Sequence, residues 1–237
     1  MRTNPVLGVL LAAGAGQRLG RGPKALLAIE GEPLVVQMAR ALLRGGCDEA
    51  VVVVGAEGGR VEQALREAFG HNPGQLCIVV NEAWQTGMGS SFRLGITTAA
   101  SRITDRFISH PTDRAAEGTR GLVMVALVDQ PDVDDTVVAQ LIAQAASQRV
   151  TAAGYLDSTG RLRRGHPLIF PLAMARAAAS MAAGDAAGRA WLHEHPELID
   201  VVHVGHLATG HDLDTPADLN WWSDSVRVMS STGGTDG

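Results

Sequence analysis

The chain has 237 residues, of which 46% are hydrophobic and only 4% aromatic, so Ala, Val and Leu must fill its core. Its formal net charge of −5 disfavours a surface for nucleic acid or for an anionic membrane. No apolar run approaches the roughly 20 residues of a transmembrane helix, and no signal peptide is evident, so we expect a cytoplasmic protein.

Apolar runs and helix-like repeats alternate along the chain. Short apolar runs predict strands over residues 5–13, 50–56, 75–81 and 121–131. Apolar residues at helical spacing predict helices over residues 32–46, 59–70, 89–103 and 135–148, the third of them capped by Ser90 or Ser91. Two strands around an Arg-rich turn follow over residues 150–157 and 166–171. The chain closes with two helices, a strand over residues 200–206 and a helix that begins near Thr215.

Strands that alternate with helices of about ten residues are typical of βαβ units and a parallel sheet. We therefore predict an α/β fold in three α/β/α layers, with a mostly parallel, doubly wound (Rossmann-like) sheet. We expect one domain over residues 1–228, with residues 104–119 as an insertion loop and residues 229–237 as a disordered tail. Ligands bind outside the carboxyl ends of the strands in such sheets, which indicates residues 12–24, 81–91 and 128–131.

The first of these loops lies within LLAAGAGQRLGRGPKALL, residues 10–27. Its first three glycines are spaced one residue wider than the G-x-G-x-x-G of a dinucleotide loop, and Pro23 interrupts the helix that such a loop requires. Lys24 is not followed by Ser or Thr, which excludes a Walker A loop. Glycine amides together with Arg18 and Lys24 suit the phosphates of a triphosphate. An ordinary glycine-rich turn with solvated cations is the alternative that these residues leave open.

The same stretch resembles the L-A-[AG]-G-x-x-x-R-x-G signature, followed by a lysine, of nucleotidyltransferases that activate sugar phosphates and pterins. NEAWQTGMGSSFRLGI, VALVDQPDV, RRGHPLIF and DLDTPADL extend the similarity to the molybdenum cofactor cytidylyltransferase-like branch of that superfamily. The resemblance covers about residues 6–220 and implies a sheet of the nucleotide-diphospho-sugar transferase type. The chain departs from the pattern in the Gly-Pro step before Lys24 and in residues 104–119, a change that bears on the acceptor site.

The resemblance implies a role for each motif. Arg18, Lys24 and Asp129 are the implied catalytic residues. Asp129 is the implied ligand of Mg²⁺ or Mn²⁺, and Asp214, which alternates with Asp212, is the implied second ligand; such cations take one or two protein carboxylates. From the residues alone, Asp129 and Asp214 equally suit caps of the helices that follow them. The implied nucleotide contacts are Leu11, Ala12, Ala13, Gly14, Gly16, Arg18, Lys24, Gly87, Gly89, Ser90 and Ser91.

Residues for a second substrate come from two segments. Gln130 follows Asp129, and Arg164 and His166 belong to the Arg-rich stretch RLRRGHP, which suits an anionic acceptor such as a pterin phosphate. A solvated hairpin tip is the alternative for the arginines.

The resemblance implies a Mg-dependent nucleotidyltransferase that moves NMP from an NTP to the terminal phosphate of a molybdopterin-type acceptor and releases pyrophosphate. CTP is the favoured donor, because Ala13 gives the L-A-A-G of the cytidylyl branch. We expect a molybdoenzyme partner, and a monomer or homodimer. Three alternatives stay open: the same chemistry on a sugar phosphate or other phosphorylated acceptor, an NAD(P)H-dependent oxidoreductase, and a non-catalytic chaperone of the pterin cofactor.

Overall fold

The computed structural model describes residues 4–70, 74–109, 121–220 and 222. The strands in these ranges are β1 (Val6–Ala12), β2 (Ala28–Ile29), β3 (Glu32–Pro33), β4 (Glu49–Val54), β5 (Leu76–Val80), β6 (Leu122–Leu127), β7 (Val150–Leu156), β8 (Leu162–Pro171) and β9 (Ile199–His203). The α-helices are α1 (Leu34–Arg44), α2 (Gly58–Phe69), α3 (Met88–Ser109), α4 (Asp135–Gln144), α5 (Leu172–Met181) and α6 (Arg189–Glu194). A further helical segment begins at Pro216.

Seven strands form one sheet in the order β5-β4-β1-β6-β8-β7-β9, and all run parallel except β8. The predicted mostly parallel sheet is therefore confirmed. β8 is antiparallel because only a short turn joins it to β7, whereas a parallel partner would need a crossover connection.

Two hydrophobic cores lie on opposite faces of the sheet, because alternate residues of each buried strand point to opposite sides. Val6 and Leu10 of β1 join one core with α1, α2 and α4. Leu7 and Val9 join the other core with α3, α5 and α6. The sheet and the helices packed on its two faces form the three predicted layers.

The order in which successive strands are added to the sheet reverses between β1 and β6. From β1 the chain continues to β4 and β5 on one side, and β6 lies on the other side. The loops after β1 and β6 therefore meet at one switch point, where open α/β sheets bind ligands.

Three local predictions are wrong. α3 begins at Met88, so Ser90 and Ser91 lie inside its first turn and do not cap it. α3 also continues to Ser109, so residues 104–109 are helical, while residues 110–119 of the expected insertion loop lie outside the described residues. Arg164 lies within β8 rather than in the expected turn, because the hairpin turn occupies only residues 157–161; His166 lies in the same strand.

The small β2–β3 hairpin was not predicted, and its turn uses Glu30 and Gly31, both with positive φ. The expected tail over residues 229–237 lies outside the described residues. Within the described ranges, no helix combines the length and the apolar character needed to cross a bilayer.

Candidate active site

The loop after β1 folds back on itself at Gly16. Gly16 has a φ of 63°, and a Cβ at this position would lie 2.3 Å from the carbonyl oxygen of Gly22. Any side chain at position 16 would therefore push the two arms of the loop apart. Among the described residues, no hydrogen-bond acceptor takes the backbone N–H groups of residues 14–16. Unpaired amides of successive residues are donors that an anion can use.

Asp129 lies two residues beyond β6, and backbone hydrogen bonds fix its position. Val128 N donates to Leu11 O at 3.2 Å, which fastens this segment to the end of β1. Leu213 N donates to Asp129 O at 2.8 Å, and the Leu213 side chain is fully buried. This second bond brings the late segment 212–214 beside β6, so Asp214 reaches the same edge of the sheet as Asp129.

Four charged side chains meet at this edge. The Nζ atom of Lys24 donates to Asp129 Oδ2 at 2.6 Å and also to Asp214 Oδ1. Arg18 Nη2 lies 3.2 Å from Asp214. Lys24 is 13% exposed and Asp129 20%, whereas Arg18 is 75% exposed. The predicted catalytic residues Arg18, Lys24 and Asp129 are thus together with Asp214, in a cluster of two cations and two anions.

Lys24 is the sole lysine of the chain, and the carboxylates of Asp129 and Asp214 stabilise its positive charge. Burial would lower the pKa of Lys24, but Asp129 and Asp214 outweigh this and raise the pKa above its ordinary value. Lys24 therefore stays cationic throughout the neutral range. Asp212 has a raised pKa because it is partly buried and because Asp129 is near, and a hydrogen bond from Gln130 opposes that rise.

A divalent hard cation fits the donor set of this cluster. Two carboxylate oxygens, from Asp129 and Asp214, converge on the single ammonium of Lys24, so they also converge closely enough to share a metal ion. Within the described ranges no group of three or more metal-ligating side chains forms. Mg²⁺ and Mn²⁺ do not require one, since phosphate oxygens and water complete their coordination.

Other residues cap the helices that Asp129 and Asp214 were alternatively expected to cap. Asp134 caps α4 by accepting from the N–H groups of Thr136 and Val137. At the C-terminal helix, Asp218 Oδ2 accepts from the N–H and hydroxyl groups of Thr215, which is a capping-box arrangement. The carboxylates of Asp129 and Asp214 are therefore available for the charge cluster.

The GMGSS motif packs against the chain itself. A Cβ on Gly87 would lie 2.4 Å from the backbone of Gly184, and one on Gly89 would lie 2.9 Å from Ala183 N. The Asn81 side-chain amide donates to Ser90 Oγ at 2.8 Å and to Ser91 Oγ at 2.9 Å. These contacts give the two glycines and two hydroxyls a structural role, and their contact with a nucleotide stays a prediction.

Gln130 points into the protein rather than into open solvent. The side chain is 4% exposed, and its Nε2 donates to Asp212 Oδ1 at 2.8 Å and to Gly210 O at 3.3 Å. Its Oε1 is buried with no hydrogen-bond partner in the described part of the chain. Gln130 therefore holds the segment that carries Asp214, and its predicted contact with an acceptor is untested.

His166 is linked to this segment by Tyr155, the sole tyrosine of the chain. Tyr155 Oη donates to His166 O at 2.7 Å, and the Tyr155 ring packs against Gly210 so tightly that a Cβ there would lie 2.5 Å away. Burial lowers the pKa of His166 to about 4, although Asp129 opposes this. His166 is consequently neutral near pH 7.

Two residues of this region were not named as site residues from the sequence. Asn81 directly follows β5, and a polar residue at the carboxyl end of a parallel strand was a usable signal. Tyr155 lies inside an apolar strand and carried no local signal.

Comparisons with known proteins agree with this geometry. A family model described as the MobA-like NTP transferase domain matches residues 8–198. The nicotine blue oxidoreductase of Paenarthrobacter nicotinovorans is 42% identical over 212 residues, which cover 89% of this chain and 92% of that protein.

Two solved structures share the fold. A nucleotidyl transferase from Methanothermobacter superposes with a TM-score of 0.70 at 22% identity, over 95% of this chain and 99% of that one. A Mycobacterium tuberculosis protein solved with manganese has a TM-score of 0.62 at 20% identity, over 91% of this chain and 96% of that one. Because one family model spans most of the chain and a relative of 42% identity spans nearly all of it, the chain belongs to the family of MobA-like NTP transferase domains.

Proposed function

We propose that the protein transfers a nucleoside monophosphate from an NTP to the phosphate of a molybdopterin-type acceptor, with Mg²⁺ or Mn²⁺ as cofactor and pyrophosphate as the second product. The observation that carries this proposal is the meeting of Lys24, Arg18, Asp129 and Asp214 beside the open amides of residues 14–16. This arrangement supplies positive groups for a polyphosphate and oxygen ligands for a divalent cation.

In this reaction an oxygen of the acceptor phosphate forms a bond to the α-phosphorus of the NTP. The bond from that phosphorus to the bridging oxygen of the β-phosphate breaks, and pyrophosphate leaves with the electron pair. The acceptor oxygen is already anionic, so the protein needs no nucleophile of its own. The main barrier is repulsion between two anions, which preorganised positive groups reduce.

Each residue of the cluster has a separate task. Asp129 and Asp214 would hold the metal ion, which when bound neutralises phosphate charge and aligns the phosphate oxygens. Lys24, released from the two carboxylates, would place its ammonium on the phosphates, and the exposed Arg18 would form a planar fork on the departing pyrophosphate. The free amides of residues 14–16 would bind the remaining phosphate oxygens.

The identity of the substrates rests on the motifs. L-A-A-G with Ala13 favours CTP, and the DQP and GHP motifs favour molybdopterin as the acceptor. The product would then be a pterin dinucleotide that a molybdoenzyme partner accepts. A sugar phosphate or another phosphorylated acceptor would use the same charge cluster.

A second candidate function is a reductase. The relative of 42% identity is named an oxidoreductase, and its similarity extends along nearly the whole chain. This candidate predicts oxidation of NAD(P)H and no requirement for a divalent metal.

One experiment separates these functions. Purified protein is incubated with molybdopterin and each of CTP, GTP, ATP and UTP, with and without Mg²⁺, and pyrophosphate release is followed; NAD(P)H oxidation is measured in parallel. We expect Mg-dependent pyrophosphate release, and we expect Asp129→Asn to reduce it at least about a hundredfold. Asp134→Asn is the matched control, since asparagine also caps a helix and the activity should persist.

The outcomes are distinct. NAD(P)H oxidation without pyrophosphate release would favour the reductase. Pterin binding without turnover of any nucleotide would favour a chaperone. Equal turnover by Asp129→Asn and the wild type would remove Asp129 from the mechanism.

A further inference from the structure

Asp214 lies at the end of a segment without regular secondary structure. Residues 208–214, which we call the Asp214 segment, belong to no helix or strand, and Thr209 and His211 within it are exposed. No continuous ladder of hydrogen bonds therefore fixes its course. A segment of this kind keeps its position through individual contacts and opens easily when they are lost. The place of Asp214 beside Asp129 thus depends on the residues that hold the segment.

Asp132 holds the start of the Asp214 segment. Its Oδ2 accepts from Thr209 N at 2.6 Å and from the Thr209 hydroxyl at 2.5 Å. Thr209 Oγ1 accepts in turn from His211 N at 3.2 Å, so the contact extends two residues towards Asp214. Asp132 Oδ1 is buried with no hydrogen-bond partner in the described part of the chain. Among the described residues, the bonds from Thr209 are therefore the only ones that this carboxylate receives.

The contact between Asp132 and Thr209 joins distant parts of the chain. Asp134 makes bonds of the same kind to the N–H and hydroxyl groups of Thr136, only two residues further along. Such a local contact shapes one turn or caps one helix. Asp132 and Thr209 are 77 positions apart, so here the same chemistry fixes one loop against another.

The loop that carries Asp132 also binds the end of the segment nearer to Asp214. Asp129 O accepts from Leu213 N at 2.8 Å. Gln130 Nε2 donates to Asp212 Oδ1 at 2.8 Å. The loop that carries one carboxylate of the charge cluster therefore holds, along its whole length, the segment that carries the other.

Tyr155 of β7 contacts the segment as well. Gly210 has a φ of 66°, and a Cβ at this position would lie 2.5 Å from the Tyr155 ring. The ring is held in turn, because Tyr155 Oη donates to His166 O at 2.7 Å. Burial raises the pKa of Tyr155, so the phenol stays protonated and keeps this bond. A side chain at residue 210 would consequently displace the segment.

We propose that Asp132 is a positioning residue, which through Thr209 holds Asp214 at the distance from Asp129 at which both carboxylates bind one divalent cation. This proposal rests on the proposed function, because the two carboxylates are metal ligands only if that site holds a metal. Asp132 has no contact with the charge cluster itself. Contacts behind metal ligands typically change metal affinity by about tenfold to a hundredfold.

Metal binding is tested first without turnover. Mn²⁺ alone is titrated into the purified full chain, and free Mn²⁺ is measured by electron paramagnetic resonance. We expect Asp132→Ala to raise the Kd for Mn²⁺ by about tenfold or more. Thr209→Val, which changes no charge, should raise it by about threefold to tenfold, whereas Thr209→Ser keeps the hydroxyl and should bind as the wild type does. Thr136→Val is the matched control, since it removes the same bond in the local contact with Asp134.

Hydrogen exchange and kinetics separate positioning from general stability. Asp132→Ala, Thr209→Val and Gly210→Ala should speed amide exchange in residues 208–214 and leave β1, β4 and β6 protected. The urea midpoint of Thr209→Val should match that of the wild type, because Thr209 is exposed. In pyrophosphate release assays, Thr209→Val should raise the Mn²⁺ concentration for half-maximal activity and keep the kcat at saturating metal.

The results distinguish this role from the proposed function. Wild-type Mn²⁺ affinity in both Asp132→Ala and Thr209→Val would overturn the positioning role, even if metal-dependent pyrophosphate release occurs. Equal weakening by Thr209→Ser and Thr209→Val would also overturn it. Mn²⁺ binding that depends on Asp132 and Thr209, without pyrophosphate release from any nucleotide, would keep the positioning role and overturn the proposed transfer reaction. A wild type that binds no Mn²⁺, alone or with CTP, would overturn both.

Discussion

Replacing Lys24 by methionine tests the electrostatic core of the site. Methionine keeps most of the volume of the side chain and removes the positive charge that Asp129 and Asp214 share. The two carboxylate oxygens both touch one nitrogen, so they are no more than about 5 Å apart. Two unit charges at that separation repel by about 3 kcal/mol at an effective dielectric constant of about 20.

Solvent reduces this repulsion, because Asp129 and Asp214 are 20% and 29% exposed. We therefore expect Lys24→Met to lower the free energy of unfolding by about 1–3 kcal/mol at neutral pH. Mg²⁺ should stabilise Lys24→Met more than the wild type, since the metal replaces the missing cation.

Urea denaturation at neutral pH, with and without Mg²⁺, measures these differences. Arg66→Met is the control, because Arg66 pairs with Glu62 on an exposed helix surface and should cost about 0.5 kcal/mol or less. The reasoning fails if Lys24→Met is as stable as the wild type at neutral pH and gains no more from Mg²⁺. Activity should fall by at least about a hundredfold in either case, because a charged contact to the transition state is lost.

Three further predictions concern the surroundings of the site. Gln130→Leu removes the donor to Asp212 and should raise the Mg²⁺ concentration needed for half-maximal pyrophosphate release by about tenfold, measured by metal titration. Glu49→Gln should lower the free energy of unfolding by about 1–3 kcal/mol in urea, since the fully buried Glu49 carboxylate holds two half-exposed arginines of α3, and wild-type stability would contradict this. His166 has a pKa lowered from 6.5 to about 4, so the unfolded chain takes up its proton first as the pH falls, and stability present above pH 6.5 is lost between pH 6.5 and about pH 4. His166→Gln should flatten that part of the stability curve in thermal unfolding by up to about 3 kcal/mol; identical curves for the two proteins would contradict the buried neutral histidine.

Sequence periodicity predicted the order of the main strands and helices well, because β1, β4 and β6 are buried on both faces and so consist of unbroken apolar residues. Element ends were less predictable. Ser90 and Ser91 have the chemistry of a cap, but Asn81 binds their hydroxyl groups, and the helix extends past them to Met88. A side-chain contact from Asn81, the residue after β5, thus overrode a local preference.

By itself the sequence determined the α/β architecture and the loops that would carry charge, since strand burial and glycine turns are local properties. It identified Arg18, Lys24 and Asp129 by their motifs. Only the tertiary structure decided that Lys24 contacts Asp214, 190 positions away, because that contact depends on the bond from Leu213 to Asp129 O. The physical reason is that charge pairing depends on distance in space, which strand order and helix packing set and which no local pattern records.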